Sequence, residues 1–282
     1  MSAVVYDDTI CLLGEGPLWH PGRNELFWFD ILGKRLHSKG RHWNFDEYVS
    51  AAGWVDDDTL LIASQTALSR FTISTGASEG VVPLEADNPV TRSNDGRADP
   101  QGGFWIGTMG IGAEDGAGAI WRFYRGELRK VVPAVTISNA ICFAPDGKTA
   151  YFTDTPTQQI MKITLDADGW PDGAAQVHID LTDTDHKADG AVVDRDGTLW
   201  TAQWGSARVA GYDTKGTFIR AIDLPAVQTT CPAFGGPDFG TLYVTSAATG
   251  LGDADFDALP ANGRTMQVPS GTIGQAEHRV IL

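Results

Sequence analysis

Four polar residues open four similar stretches of this chain, and their spacing is the first sign of chemistry. Glu15 begins EGPLWHPGRNELFWFD, Asn94 begins NDGRADPQGGFWIGT, Asn139 begins NAICFAPDGKTAYFTD and Asp189 begins DGAVVDRDGTLWTAQW. The distance to the turn glycine is eight positions for Asn94 (Gly102), Asn139 (Gly147) and Asp189 (Gly197), and seven for Glu15 (Gly22). Equal offsets in a repeat imply equivalent places in space, so the four side chains are expected around one centre. Glu15, Asn139 and Asp189 would bring two carboxylates and an amide oxygen to it. That hard, oxygen-only set suits Ca²⁺, Mg²⁺ or Mn²⁺ and tolerates Zn²⁺ or Fe²⁺. It leaves coordination positions open for water or substrate, as a catalytic metal site requires. Any one of these residues alone reads as a turn residue bonding local backbone; turn chemistry does not select four at one offset.

The elements that must position them are short strands. Second strands of hairpins are anchored on Trp28, Leu61, Trp105, Tyr151, Trp200 and Tyr243, separated by 33, 44, 46, 49 and 43 residues. A four-stranded propeller blade takes about 40–50 residues. Further alternating strands lie between the anchors at 68–73, 119–124, 159–165 and 208–213, each followed by a Gly- or Asp-containing turn. No stretch has a sustained apolar stripe at helical spacing, so the expected fold is an all-β six-bladed propeller, one domain over residues 1–282, with a central metal site. The tail EHRVIL (277–282) is expected to add a strand that closes the ring. The second and last units present Ser50 or Ala51 and Thr229 or Thr230 at the polar position, so the centre is asymmetric.

Composition narrows the partners. A formal net charge of −15 repels phosphate backbones and anionic membrane surfaces, which disfavours nucleic acid and lipid. Asp7 and Asp8 interrupt the apolar run that a secretory signal would need, and no stretch approaches about 20 apolar residues, so a soluble cytoplasmic protein is expected. No obligate protein partner is evident. Cys11, Cys142 and Cys231 are widely spaced and odd in number, which predicts buried free thiols. No GxSxG, SxxK or HExxH string occurs. The segment DHKADG (185–190) has the outline of a calcium loop, but Lys187 stands where an oxygen ligand is required, so an EF-hand is rejected. Gly110 to Gly118 is read as a loop beside the site rather than a phosphate cradle, and His20 as a turn or packing residue.

The motifs Glu15-Gly16-Pro17 with Trp19, Arg92-Ser93-Asn94-Asp95-Gly96 followed by Gly107-Thr108-Met109, Ser138-Asn139 with Pro145-Asp146-Gly147, and Asp189-Gly190 with Leu199-Trp200 resemble the senescence marker protein/gluconolactonase family, which includes regucalcin. The likeness runs from about residue 15 to 246, nearest to bacterial sugar lactonases. It implies a six-bladed propeller that hydrolyses sugar lactones of pentose and hexose oxidation with one divalent metal. By resemblance Glu15, Asn139 and Asp189 are the metal ligands, and Arg92 and Asn94 contact the substrate. The family's acidic substrate contact after Gly-Thr-Met falls here on Gly112, with Glu114 nearby, and is not carried over. Asp189 is the candidate to accept a proton from the attacking water. Two other readings are an organophosphate or aryl-ester hydrolase on the same scaffold and a non-catalytic calcium-binding regulatory protein.

Overall fold

Each anchored second strand has an apolar run that must be covered on both faces, and the chain covers it by stacking like units radially. The computed structural model describes residues 2–282. It contains six antiparallel four-stranded sheets. Blades 1 to 5 are contiguous, at 14–44, 49–83, 91–135, 138–180 and 187–223, and the first strand of each is innermost. Blade 6 is composite: Thr229–Gly235, Thr241–Ser246 and Thr265–Pro269 are completed by Val4–Asp7 at its outer edge. Pairing the beginning of the chain with its end completes the sixth blade and closes the ring.

The core is six seams rather than one centre. Every apolar cluster is shared by two adjacent blades: Phe27 and Phe29 with Leu60 and Phe71, for example, and Trp105 with Ile141 and Phe143. The closing seam between blades 1 and 6 holds Trp19, Trp28 and Tyr243, with Trp19 stacked on Tyr243 at 5.4 Å. The three cysteines are free and buried as expected, and burial pushes the Cys11 thiol up to about 12.

The Asp-x-x-Gly turns have a specific job. In blade 3, Asp99 accepts hydrogen bonds from the amides of Gln101 (2.9 Å) and Gly103 (2.8 Å), the Trp105 indole (3.1 Å) and Arg122 Nε (2.6 Å). Asp194 does the same in blade 5 with Asp196 N, Thr198 N, Trp200 Nε1 and Thr272 Oγ1. One carboxylate thus caps the hairpin and orients the tryptophan six residues on.

The tail does not form a strand, which corrects the expectation from sequence. Residues 273–282 cross the end of the ring toward which the inner strands run. Gln275 Nε2 donates to the carbonyls of Phe143 (3.1 Å) and Val193 (3.0 Å), Val280 N to Trp54 O (2.8 Å) and Ile281 N to Gly102 O (2.8 Å). The cause is Arg97, a buried guanidinium of blade 3 whose ion-pair partner is Glu277 of the tail; an unpaired charge there would be far costlier than the lost strand pairing. A void of about 20 Å³ remains between the tail and the inner strands. A six-residue helix, Asp253–Ala258, lies in the blade 6 insertion. Among the described residues no helix is long and apolar enough to cross a membrane.

Candidate active site

At the other end of the axis, a cavity of about 320 Å³ is lined by Glu15, Arg92, Asn94, Asn139 and Asp189 together with Leu13, Met109, Ile137, Thr155, Pro156, Lys187 and Trp204. All five residues singled out from sequence therefore meet. Their strand positions are not equivalent, however. Glu15 pairs with Phe29 and Asn139 with Thr153, each in the last regular pair before a β-bulge. In blades 3 and 5 the bulge comes one residue earlier, so Ser93 and Ala188 hold the paired positions while Asn94 and Asp189 sit on the bulge itself. A one-residue slip would turn a strand side chain to the opposite face. The bulge re-aims it, so two registers deliver four side chains to one place.

Gly16 follows Glu15 with φ +52, and a Cβ there would collide with the Ser50 carbonyl. Its amide bonds Glu15 Oε2 at 3.0 Å, so this backbone shape fixes the carboxylate. The Gly16→Ala protein is expected to lose more than about 2 kcal/mol of stability, from the left-handed backbone and the collision together. Chemical denaturation at fixed protein concentration checks this.

The polar residues form one chain of hydrogen bonds across three blades. Arg92 Nη1 donates to Asn94 Oδ1 and to Ser93 O, both at 2.8 Å. Asn94 Nδ2 donates to Ser138 O (2.8 Å) and Asn139 Oδ1 (3.1 Å). Asn139 Nδ2 donates to Thr155 Oγ1 (2.9 Å), whose hydroxyl donates to Ala188 O (3.0 Å). The orientation of Asn139 is thereby set, with its amide oxygen on the side of Asn94. Both Asn94 amide hydrogens are used, which leaves it a single acceptor lone pair for a ligand.

Electrostatically the centre is short of positive charge. Glu15, Asp95 and Asp189 are all buried. Burial, and then the charge of Asp95, raise Glu15 to about 8. Burial followed by Glu15 and Asp95 raises Asp189 well above the usual carboxylate range. Burial alone lifts Asp95 to about 6. Among the described residues Asp189 is bonded by the amide of its neighbour Gly190, and no cationic side chain forms an ion pair with Glu15 or Asp189, although the charge of Arg92 acts on Glu15. Two buried carboxylates without a direct ion pair, beside an oriented amide oxygen, are what a hard divalent cation satisfies. Among the described residues no three His, Cys, Asp or Glu side chains gather into a metal cluster; the third oxygen here is an amide.

Two contributors were not singled out from sequence. Asp95 turns away from the cavity and accepts the Ile141 amide of the next blade at 2.7 Å. Thr155, which orients Asn139, follows its strand in a 3₁₀ turn with no motif around it. The hydroxyls of the two nonconforming units are spent on neighbours: Ser50 Oγ donates to Ser93 Oγ (2.8 Å) and Thr230 Oγ1 to Gly14 O (2.5 Å). Glu114 accepts the amide of Gly112 at 3.1 Å within its own loop and does not line the cavity. His20 is a turn residue, its ring bonded to Arg23 N and Asp56 O.

A closed ring of six four-stranded blades defines the class, an all-β six-bladed propeller, here with a cavity at one axial mouth. The sequence model of the SMP-30/gluconolactonase/LRE-like region matches residues 13–248, and the chain belongs to that family. It is 39% identical over 274 residues to a putative sugar lactone lactonase of Rhizobium meliloti, covering 94% of this chain and 92% of the relative. It is 38% identical to the L-arabinolactonase of Azospirillum brasilense, covering 99% and 95% of the two chains. The crystal structure of a calcium-binding protein, regucalcin, from Agrobacterium tumefaciens superposes with a TM-score of 0.97 at 40% identity, covering 100% of this chain and 98% of that one.

Proposed function

We propose that this protein is a lactonase that hydrolyses an aldonolactone, a product of pentose or hexose oxidation, to the aldonic acid with the help of one divalent cation. The observation that carries the reading is the convergence of Glu15, Asn139 and Asp189 with Arg92 on one cavity, in a chain whose relatives are named lactonases. Glu15, Asn139 and Asp189 would hold the cation, which when bound supplies Lewis-acid polarisation of the lactone carbonyl. Asp189, short of protein donors, accepts the proton of the attacking water. Arg92 keeps Nε and Nη2 for sugar oxygens while Nη1 is held by Asn94, so the guanidinium orients the ring. Apolar walls from Leu13, Met109 and Ile137 keep bulk water from the reacting carbon. The ring-opened product gains a carboxylate and so carries one negative charge more than the lactone.

The test is a pH-stat screen of aldonolactones with metal-stripped protein, each divalent ion restored in turn and an aryl ester as control. Restored lactone turnover supports the reading; ester turnover without lactone turnover, or full activity in chelator, sinks it. Protons should compete with the cation. Because Glu15 in the absence of a cation is held up to about 8 by burial and Asp95, it is protonated below that pH and must release its proton on binding. Apparent metal affinity is therefore expected to rise from pH 6 to pH 8, with proton release visible by calorimetry in buffers of different ionisation enthalpy.

A further inference from the structure

Lys187 begins the inner strand of blade 5, two residues before Asp189, and pairs across the ladder with Trp204. Both line the cavity. Among the described residues the Lys187 ammonium enters no ion pair and no hydrogen bond, although Asp183 and Asp185 lie close in sequence. Among the described residues only Arg92 and Lys187 bring basic side chains to the cavity, and the molecule carries a formal net charge of −15. An unpaired cation kept at the lip of a pocket in so acidic a protein calls for an occupant.

We propose that Lys187 is a specificity-determining residue that binds an anionic substituent on the end of the lactone remote from its carbonyl. The inference rests on the lactonase reading above and adds the substrate class. Lys187 and Asp189 leave one inner strand two residues apart and both line the cavity, so a sugar whose carbonyl meets Asp189 can carry a terminal group to Lys187. Trp204 forms the neighbouring wall, a flat apolar surface for the sugar carbons between the two ends. Arg92 enters the cavity from blade 3 and Lys187 from blade 5, so the two cations can address different parts of one ligand. A phosphate, a sulfonate and a carboxylate share the chemistry that an ammonium recognises.

The experiment uses the full-length, metal-loaded protein with a hexonolactone and its 6-phosphate, 6-sulfonate and 6-carboxylate counterparts, for the wild type, Lys187→Met and Lys187→Arg. A hydrogen bond to a charged group corresponds to roughly 10–100-fold in affinity. The ratio of kcat/KM for the best anionic lactone to that for the neutral one is expected to exceed one in the wild type. It should fall by about that factor in Lys187→Met and recover in part in Lys187→Arg, and the ranking of the three anions names the source. An anionic-to-neutral ratio below one in the wild type, or unchanged by Lys187→Met, overturns the proposal. Calorimetry with hexonate 6-phosphate against hexonate separates this from the reaction itself: if no lactone is turned over, the lactonase reading fails. Lys187 is still decided by whether Lys187→Met removes the preference for the phosphorylated acid. The side chain is exposed, so the substitutions leave the fold intact.

Discussion

The Asp189→Ala protein is expected to lose lactone hydrolysis by roughly 10³-fold or more, since one substitution removes the proton acceptor and a carboxylate of the cation site. Metal affinity should fall with it. A second signature separates this from unfolding. Burial, Glu15 and Asp95 hold Asp189 well above the usual range, so the native state favours its protonated form. The penalty for ionising a group with a raised pKa is absent below its unfolded value, near pH 4, and grows as pH rises toward the native value. In chelator at pH 8 the Asp189→Ala protein should accordingly be at least as heat-stable as the wild type, while calcium or zinc should raise its Tm less. Thermal melts with and without metal, beside pH-stat rates, check both halves. A melt well below the wild type's in chelator, or retained activity, contradicts this role.

A loss of stability rather than of activity is expected far from the cavity. Asp99→Ala would strip four hydrogen bonds at once and leave Arg122, whose side chain is fully buried, without its carboxylate. Breaking one side of a buried pair costs about 3–5 kcal/mol, so Tm should fall on the order of 10 °C. The guanidinium also lies over Tyr124 and Trp170 at 4.5 and 4.4 Å. The double variant Asp99→Ala/Arg122→Leu should recover part of the loss, because it removes the orphaned charge while keeping an aliphatic side chain. Denaturant unfolding of the single and double variants measures the coupling; additive losses would mean that the pair is not the cause.

Much of this was legible beforehand, and for identifiable reasons. Second strands such as FWIGT and LWTAQ are buried on both faces, so burial imposed a pattern that reads through. The fourth strand of each blade is another matter: Arg41–Asn44, Ser78–Pro83 and Phe218–Asp223 are largely exposed, and nothing selects an alternation there. Four of the five site residues were legible because hairpin turns punctuate the repeat at regular offsets; Arg92 entered through the family resemblance alone. What the offsets could not convey is the bulge, since backbone register is set by pairing with the next strand and not by distance to a turn. Thr155 was hidden because it acts through Asn139, by a contact that only the folded chain makes. The tail was misjudged because its purpose depends on Arg97, whose burial no local pattern announces.

Ring closure by distant segments also sets a schedule for folding. Val4–Asp7 must wait for Thr265–Pro269, a separation close to the whole chain. Contacts of such sequence separation form late and slowly. During synthesis blades 1 to 5 can assemble in order, but the face of blade 1 that carries Trp19 and Trp28 stays open until blade 6 arrives. That aromatic seam is an exposed adhesive surface of the nascent chain. The period of greatest danger from aggregation therefore ends only when the last strand and the tail behind it have been made.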